Sequence, residues 1–361
     1  MTAAITQALL SKRVAPHFGL FKIRVRSNGT IVVPDVAEPL IPLLEGIGAN
    51  PLLWQNRRCV VGHPILESSR SFKVGITRKQ LSNLPSDLLW KLHSANVTRL
   101  FKVVNYHTKS SNEVSLLELK LELARRMLSP CTLCERRCGI SRANGETGFC
   151  GLARGVQVAA YSMLYNEGPL IGAPTFSVFV RGCSLRCSFC YRPEELAAKS
   201  KAEMSADTLA GILDDATSSG AQSWHFLGGN PDESIPAILE VLSLTRKPLP
   251  IAWNSALMLT PEALELLKGV VDIWIPDFKF GNDSCARRIG HIDGYKNIVT
   301  RNLLALRNQQ WVVVRHMKIS GHKDCCTEYI NSFVRERLPI FHYQEFPVAN
   351  SEMEDKCLPN Q

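Results

Sequence analysis

The sequence predicts an α/β fold built on a parallel sheet of six strands in the second half of the chain. Short apolar, β-branched and aromatic runs alternate there with segments whose apolar residues recur at helical spacing. The predicted strands are TFSVFVRG, SWHFLGG, PIAWNSA, DIWIPDFKF, WVVVRHMKI and IFHYQEF. Ser205 and Thr260, the latter followed by Pro261, are predicted N-caps of two intervening helices. Because parallel sheets carry sites at the carboxyl ends of their strands, the residues after each run are the first candidates for function.

Composition is that of a globular protein of two or three domains, with 361 residues, 45% hydrophobic and 21% charged. The formal net charge of +9 favours acidic partners, but the basic residues are scattered and not interleaved with aromatic ones. A nucleic-acid partner is therefore disfavoured. The sequence has no apolar run long enough to cross a bilayer and no secretory signal pattern, which predicts a cytoplasmic protein without a membrane partner.

Seven of the twelve cysteines fall between residues 131 and 190, and this clustering divides the chain. Clustered cysteines in a reducing compartment are more often metal ligands or redox groups than disulfides. In the N-terminal part, a β-hairpin is predicted around Ser27-Asn28-Gly29 and a helix in SLLELKLELARRML. The predicted parts are an N-terminal α+β domain of unassigned role (1–128), a Cys-rich metal-binding module (129–170), the sheet domain (171–348) and a C-terminal tail (349–361).

Three cysteines, Cys183, Cys187 and Cys190, follow the first strand in RGCSLRCSFCYRPEE. Their spacing lets one short loop bring three thiolates around a single centre. Structural zinc normally has four ligands, and this group offers no histidine or fourth cysteine. The three thiolates could instead hold three irons of a 4Fe-4S cluster, which leaves the fourth iron open to a substrate or cofactor.

The C-x3-C-x2-C pattern, followed by an aromatic residue after the first strand of a βα array, resembles the signature of radical S-adenosylmethionine (SAM) enzymes. The resemblance implies a partial (β/α)6 barrel of radical SAM type, with a 4Fe-4S cluster and SAM as cofactors. In that superfamily the open iron chelates the amino and carboxylate groups of SAM. One-electron reduction then cleaves a C–S bond to give a 5′-deoxyadenosyl radical, which abstracts hydrogen from the substrate.

A second segment, FLGGNPDES, resembles the Gly-Gly-Glu segment of the same superfamily. The resemblance implies that the backbone of Gly228 and Gly229 contacts the amino group of SAM, since glycine allows close approach. Asn230 stands where an acidic residue is usual, which leaves the backbone role intact and puts a carboxylate contact in doubt.

The stretch from AWNSALMLTPEALELL to VVVRHMKISGH resembles the branch around pyruvate formate-lyase activating enzyme, over residues 129–347. The resemblance implies an electron donor such as flavodoxin or ferredoxin and a protein or peptide substrate. Modification of a small molecule fits the same residues equally well. The resemblance places Asn254 near the nucleoside and Asp277 and Lys279 near the cofactor or a cation. A structural salt bridge inside the barrel fits the charged residues equally well. Arg315 and His316 are expected to line the same mouth, with Arg315 able to pair with the cofactor carboxylate.

A second group, Cys131, Cys134, Cys138 and Cys150, offers a full set of four ligands in CTLCERRCGISRANGETGFCG. Four ligands indicate a closed site. Zinc and an auxiliary iron-sulfur cluster both fit four cysteines, and the spacing does not decide between them. The segment resembles one that precedes the radical domain in homologues of the activating enzyme, which supports a metal centre.

Weaker features are Cys325 and Cys326, which lie beside His322 and Asp324, and Cys285 at a predicted helix start. Adjacent cysteines point apart in most backbones, so ordinary loop and structural roles are expected for these three. Two further functions stay open: an iron-sulfur scaffold or electron carrier, and a zinc-dependent nucleic-acid-binding protein.

Overall fold

The structure is a computed structural model, and it describes residues 24–25, 31–34, 54–55, 58–61, 64–102, 112–165, 171, 174–193, 203–306, 311–338 and 342–347. Four short strands come first along the chain. They are β1 (Arg24–Val25), β2 (Ile31–Pro34), β3 (Trp54–Gln55) and β4 (Arg58–Val61). They form an antiparallel sheet in the order β1-β2-β4-β3. The pairing of β1 with β2 confirms the strands of the predicted hairpin, and its turn, Ser27-Asn28-Gly29, lies outside the described residues.

A helical layer with a two-stranded sheet follows. Its elements are α1 (Ile65–Ser71), β5 (Lys73–Thr77), α2 (Arg78–Asn83), α3 (Ser86–Lys102), β6 (Glu113–Ser115) and α4 (Leu116–Arg126). The predicted helix of SLLELKLELARRML is α4. It begins with a capping box, in which Ser115 Oγ accepts from the Glu118 N–H and Glu118 Oε2 accepts from the Ser115 N–H. Nearly all of its leucines are fully buried, which explains why the helix forms here.

This layer packs directly on the larger sheet. The Ile65 N–H donates to Asp272 Oδ1 at 2.9 Å, and Arg125 Nη2 lies 2.8 Å from Glu240 Oε1. The buried side chains of both parts belong to one continuous hydrophobic cluster that runs from Leu66 to Leu338. The helical layer, which belongs to the predicted N-terminal domain, therefore shares a core with the sheet domain, whereas the boundary at residue 128 stays a prediction.

The main sheet has seven strands in the order β13-β12-β11-β10-β9-β8-β7. Its strands are β7 (Val158–Leu164), β8 (Thr175–Val180), β9 (Ser223–Gly228), β10 (Ile251–Ser255), β11 (Ile273–Phe278), β12 (Trp311–Lys318) and β13 (His342–Pro347). All pairs from β8 to β13 are parallel, which confirms the six predicted strands. Strand β7 pairs antiparallel with β8 and was not predicted. Its side chains are half-buried or exposed, so it lacks the continuous apolar pattern of the other six.

Helices connect the parallel strands: α5 (Ala206–Ser218), α6 (Ile235–Leu244), α7 (Pro261–Leu267), α8 (Asp283–Gly290), α9 (Tyr295–Leu306) and α10 (Glu328–Arg337). Both predicted N-caps are confirmed. Ser205 Oγ accepts from the Thr208 N–H at 3.1 Å, and Thr260 Oγ1 accepts from the Ala263 N–H at 3.3 Å. The strand–helix alternation gives the partial barrel that the sequence predicted.

The two faces of the sheet bury different residues. Trp224, Trp253 and Trp274 are fully buried members of the large cluster that includes the helices. A second, smaller cluster contains Ala252, Ile273 and Val313. The residue that follows each of them along its strand belongs to the large cluster. Because successive side chains of a strand point to opposite faces, this smaller cluster marks the inner face of the barrel.

Candidate active site

Strand alternation decides which polar side chains reach the mouth of the barrel. Asn254 follows inner-face Ala252 by two positions, Asp277 follows Ile275 by two, and Arg315 follows Val313 by two. Asp277 and Arg315 are also directly paired across β11 and β12. All three therefore point to the inner face near the carboxyl ends of their strands, where the sheet carries its site.

The cysteine loop after β8 is held by backbone hydrogen bonds from two directions. The Cys183 N–H donates to Cys150 O at 3.2 Å, and the Ser188 N–H donates to Ile289 O at 3.0 Å. Within the loop, the Cys190 N–H donates to Cys187 O at 3.0 Å, which folds the chain back so that the three cysteines face one space. Cys183 is buried, while Cys187 and Cys190 are partly accessible.

One cavity of about 280 Å³ lies at this mouth and is lined by all ten residues predicted for the cluster and cofactor. These residues are Cys183, Cys187, Cys190, Gly228, Gly229, Asn230, Asn254, Asp277, Lys279 and Arg315. Their roles stay predictions, but the fold brings them together from five strands and loops. The lining also includes apolar side chains that the sequence did not single out, among them Phe179, Phe189 and Met317.

The two glycines lie where a side chain would not fit. Gly228 has φ +116°, and a Cβ there would lie 2.5 Å from Val180 O. A Cβ on Gly229 would lie 2.2 Å from Gly182 O, in the cysteine loop. The Gly229 N–H also donates to Val180 O at 2.8 Å. Glycine is therefore required for the turn after β9 to pass directly against the start of the cysteine loop.

Asn230 uses its side chain to hold the protein together. Its Oδ1 accepts from the Ala256 N–H at 3.0 Å, and its Nδ2 donates to Glu233 Oε1 at 3.1 Å. Glu233 Oε1 also accepts from the Ser184 N–H at 3.0 Å. Asn230 therefore joins the ends of β9 and β10, and the acid three residues later reaches the cysteine loop.

Two buried acids in this turn, Asp232 and Glu233, escaped the sequence analysis, although FLGGNPDES displays both. Asp232 accepts hydrogen bonds from Trp253 Nε1 and Ser255 Oγ. Burial raises the pKa of Asp232 to about 6, and burial followed by the neighbouring Asp232 charge raises the pKa of Glu233 to about 7.

At the ends of β10 and β11, three residues form a hydrogen-bonded chain. Asn254 Nδ2 donates to Asp277 Oδ1 at 3.2 Å, and Lys279 Nζ lies 2.8 Å from Asp277 Oδ2. Burial lowers the pKa of Lys279, but the charge of Asp277 and its hydrogen bond outweigh this and leave the pKa raised. Lys279 is therefore a fixed positive charge at the cavity wall.

His316 was expected to line the same mouth, and this expectation is wrong. It is buried with its ring bonded to Phe278 O and Thr327 Oγ1 at 3.0 and 2.9 Å. It does not line the cavity, because it follows Arg315 directly and so points to the outer face of β12.

The thiols of the cysteine loop need a positive partner to ionise. Burial, followed by the charge of Glu233, raises the pKa of Cys183 well above its ordinary value. Burial raises the pKa of Cys187 to about 11 despite the nearby Lys279 charge. A bound metal would deprotonate these thiols outright, so the donor set suits a cationic metal centre.

The second cysteine group lies against the first. Cys131, Cys134 and Cys150 are buried and Cys138 is exposed. A Cβ on Gly148 would lie 3.4 Å from Cys150 Sγ and 3.6 Å from Cys138 Sγ, so these two sulfurs flank one glycine. The module docks on the barrel because the Glu135 N–H donates to Met258 O at 2.8 Å and Cys150 O accepts from Cys183.

Arg142 links the two groups and was also not predicted. It is almost fully buried, and its Nη1 donates to Glu233 O at 2.9 Å while lying 3.9 Å from Cys131 Sγ. Burial raises the pKa of the Cys150 thiol to about 11, and the Arg142 charge opposes this rise. Nothing in the sequence context of Arg142, SRANG, separates it from an ordinary surface arginine.

A partial barrel with three converging thiols beside a small-molecule cavity defines an α/β protein built to hold a metal centre and a ligand together. The sequence profile described as the radical SAM superfamily matches residues 177–334. An uncharacterized protein of Methanocaldococcus jannaschii, MJ0674, is 31% identical over 314 residues, which are 76% of this chain and 86% of that protein. The chain belongs to the radical SAM superfamily, which implies a 4Fe-4S cluster and SAM binding.

Crystal structures of Streptococcus suis SuiB are also similar. SuiB bound to S-adenosylmethionine matches with a TM-score of 0.36 and 15% identity, over 49% of this chain and 39% of SuiB. SuiB bound to precursor peptide SuiA matches with a TM-score of 0.39 and 13% identity, over 73% of this chain and 52% of SuiB. The chain thus spans about two fifths to one half of the SuiB length, and a likeness at this level carries no information about substrate.

Among the helices that the structure describes, none combines the length and apolarity needed to cross a membrane.

Proposed function

We propose that this protein reductively cleaves SAM at a 4Fe-4S cluster held by Cys183, Cys187 and Cys190. The observation that best supports this proposal is the cavity in which these cysteines meet two glycines and polar or charged side chains from the ends of β10, β11 and β12. Neither a scaffold nor a nucleic-acid-binding module requires a ligand-sized cavity beside its metal centre.

The residues of the cavity suit a zwitterionic nucleoside ligand. The backbone at Gly228 and Gly229 can approach the ligand amino group, and the Arg315 guanidinium can pair with its carboxylate. Asn254 and the Asp277–Lys279 pair line the cavity at the ends of β10 and β11, where they can fix the ribose or a bound cation. The partly buried loop excludes much of the solvent from the thiols.

When bound, the cluster would supply one electron to SAM, so that a C–S bond breaks to give methionine and a 5′-deoxyadenosyl radical that takes a hydrogen atom from substrate. The electron has to come from a one-electron donor such as flavodoxin or ferredoxin. The formal charge of +9 favours an acidic protein of this kind. Thiolate ligands and such donors both suit the cytoplasm, which is the compartment we propose.

We also propose an iron-sulfur cluster at Cys131, Cys134, Cys138 and Cys150. A single tetrahedral zinc ion at about 2.3 Å from each sulfur requires neighbouring sulfurs about 3.8 Å apart. No three sulfurs of this group lie within 4.8 Å of one another in the described structure. A multinuclear cluster accepts such wider spacing because different irons bind different cysteines.

For the substrate, the resemblance to pyruvate formate-lyase activating enzyme supports a protein or peptide that loses a hydrogen atom. The proposed substrate class depends on that resemblance alone, because the Methanocaldococcus jannaschii relative is uncharacterized.

The test is an anaerobic assay. The chain is reconstituted with iron and sulfide, reduced with dithionite and mixed with SAM, and 5′-deoxyadenosine and iron per chain are measured. We expect 5′-deoxyadenosine and about eight irons per chain, four for each cluster. Cys187→Ala should lose about four irons and all 5′-deoxyadenosine, whereas Cys138→Ala should lose irons of the second cluster only.

Other outcomes would assign the alternatives. An iron-loaded protein that forms no 5′-deoxyadenosine would indicate a scaffold or electron carrier. A colourless zinc protein with salt-sensitive RNA binding would indicate the nucleic-acid-binding function. Retained SAM cleavage in Cys187→Ala would refute the assignment of the first cluster.

A further inference from the structure

Four potential metal ligands lie together outside both cysteine groups described above. They are Cys285, His322, Cys325 and Cys326, and one ligand atom from each lies within 4.8 Å of all the others. In the described residues this is the one group of at least three Cys, His, Asp or Glu side chains that meets this distance. His322, Cys325 and Cys326 follow Cys285 by 37 to 41 residues along the chain. The fold therefore brings Cys285 to the other three.

The distances within the group match the edges of one tetrahedral metal site. Cys325 Sγ lies 3.6 Å from Cys285 Sγ and 3.9 Å from Cys326 Sγ, and His322 Nδ1 lies 3.3 Å from both Cys285 Sγ and Cys325 Sγ. For zinc, bonds of about 2.3 Å to sulfur and about 2.0 Å to nitrogen place sulfurs about 3.8 Å apart and sulfur about 3.6 Å from nitrogen. The four atoms are therefore arranged around a space of the size of a single ion.

Local backbone geometry explains how adjacent cysteines can face one point. Cys325 and Cys326 lie in a π-helical turn, Lys323–Thr327, in which the Thr327 N–H and the Cys326 N–H both donate to His322 O. This wider turn overcomes the expectation that neighbouring cysteines point apart. Turns of this kind occur frequently at functional sites.

Asn282 joins the two halves of the group. As N-cap of α8, its Oδ1 accepts from the Cys285 N–H at 2.8 Å, and its Nδ2 donates to Cys325 O at 3.1 Å. A Cβ on Gly281 would lie 2.3 Å from Cys326 O, so only glycine lets the loop after β11 approach the π turn this closely. The site is thus positioned by several contacts that do not involve the sulfurs.

We infer that Cys285, His322, Cys325 and Cys326 bind one Zn²⁺ ion in the reduced protein. The Cys3His ligand set is closed and typical of structural zinc. The ion would clip the loop after β11 to the loop after β12, at the same edge of the sheet as the cavity. Its expected role is to fix the ends of the strands that carry Asp277, Lys279 and Arg315.

Cys325 is disulfide-bonded in the structure, so the zinc site belongs to the reduced chain. A phosphine reductant cleaves the S–S bond with water, which yields two thiols and the phosphine oxide. Zn²⁺ then displaces the thiol protons as it binds. Oxidation back to the disulfide would remove one ligand, and zinc affinity should fall accordingly.

The test measures zinc in the clustered protein. The chain is reduced with a phosphine, reconstituted with iron and sulfide so that both cluster sites are filled, incubated with Zn²⁺ and desalted. We expect one zinc per chain besides the iron, and X-ray absorption at the zinc edge should show three sulfurs and one nitrogen. Cys285→Ser and His322→Ala should each lose this zinc, whereas Asp324→Asn, an exposed change in the same turn, should keep it.

The outcomes separate this inference from the proposed function. Zinc lost in Cys285→Ser and His322→Ala with the iron content unchanged supports the inference, whether or not the protein cleaves SAM. Zinc that stays in both variants, or about four further irons at this site instead of zinc, would overturn it. If either variant fails to fold, the absorption spectrum of the wild type decides alone, since a shell other than three sulfurs and one nitrogen contradicts the ligand set.

Discussion

Glu233 accepts a hydrogen bond from the Ser184 N–H at 3.0 Å, and this bond ties the turn after β9 to the cysteine loop after β8. Both residues are almost completely buried. Because Ser184 follows Cys183 directly, the acid sets the path of the loop beside its first cysteine. The same carboxylate oxygen accepts from Asn230 Nδ2 within the turn, and Asn230 Oδ1 accepts from the Ala256 N–H at the end of β10.

We predict that Glu233→Ala loosens the cysteine loop. The Ser184 N–H would lose its buried acceptor, at a cost of about 1–3 kcal/mol. Iron should leave the first cluster several-fold faster in the presence of a chelator, measured by absorbance. Glu233→Gln keeps one acceptor oxygen and should lose iron at nearly the wild-type rate. Glu262→Ala, at an exposed glutamate of α7, serves as the control, and equal rates in all variants would contradict the prediction.

A second prediction concerns the ion pair of Asp277 and Lys279, whose side chains are only 19% and 13% exposed. Asp277→Asn leaves the Lys279 ammonium without its anionic partner, which in buried pairs costs about 3–5 kcal/mol. The double variant Asp277→Asn/Lys279→Met should recover part of this loss. Urea unfolding of the wild type, Asp277→Asn, Lys279→Met and the double variant gives the coupling energy between the two residues.

The matched control is the pair of Arg287 and Asp293, whose side chains are 68% and 79% exposed. Asp293→Asn should leave the midpoint of urea unfolding unchanged, because water screens an exposed pair. If Asp277→Asn is as harmless as Asp293→Asn, the Asp277–Lys279 pair does not stabilise the cavity wall.

The third prediction concerns close packing at Gly229. In Gly229→Ala, the new methyl group would collide with the backbone oxygen of Gly182, which cannot move without moving the cysteine loop. We expect at least a tenfold weaker SAM affinity, by isothermal titration of the reconstituted protein, or loss of the folded protein. Gly211→Ala in α5 meets no atom within 4 Å and should stabilise the chain by about 0.5–1 kcal/mol. Normal SAM affinity in Gly229→Ala would show that the close approach is not required.

Sequence reasoning found the features that depend on local pattern. The six parallel strands and the caps at Ser205 and Thr260 follow from apolar runs and short-range hydrogen bonding, which neighbouring residues encode. The residues predicted for the site line one cavity because the carboxyl ends of parallel strands lie at the same edge of the sheet. The orientation of His316 was missed because a shift of one residue along a strand reverses the face.

Features that depend on contacts between distant segments could not be predicted. Arg142 reaches Glu233, and Cys285 reaches His322, only because segments that are distant in sequence meet in the fold. The orientation of adjacent Cys325 and Cys326 toward one point requires a π turn, which has no sequence signature. Local propensity carries no information about such contacts, because they form only when the whole chain folds.

The last prediction concerns pH and Asp272, which anchors the helical layer to the barrel. Its Oδ1 accepts from the Ile65 N–H at 2.9 Å and its Oδ2 from the Ile251 N–H at 2.7 Å. Burial raises the pKa of Asp272 from 3.8 to about 8, although both hydrogen bonds act in the opposite direction. The folded state therefore retains a proton that the unfolded state releases above about pH 4.

It follows that the free energy of unfolding should fall as pH rises, because between these two pKa values the unfolded chain binds fewer protons than the folded one. The contribution is fully present below about pH 4 and is lost progressively up to about pH 8, with a slope of at most about 1.4 kcal/mol per pH unit. Asp232 and Glu233, whose pKa values are also raised, add to the slope in the wild type. Asp272→Asn does not titrate, so the difference between wild type and variant isolates this one group.

Urea unfolding at about pH 5 and about pH 8 measures the effect. At the lower pH, Asp272→Asn should be less stable than the wild type by about 1–3 kcal/mol, since its amide presents an NH₂ group to one of the two N–H donors. At the higher pH the gap should narrow, because the wild type then carries a buried charge that the variant lacks. Asp207→Asn, at an exposed position in α5, should follow the wild-type profile. A gap that stays constant between the two pH values would mean that Asp272 is ionised in the folded protein throughout, with its two N–H donors outweighing burial.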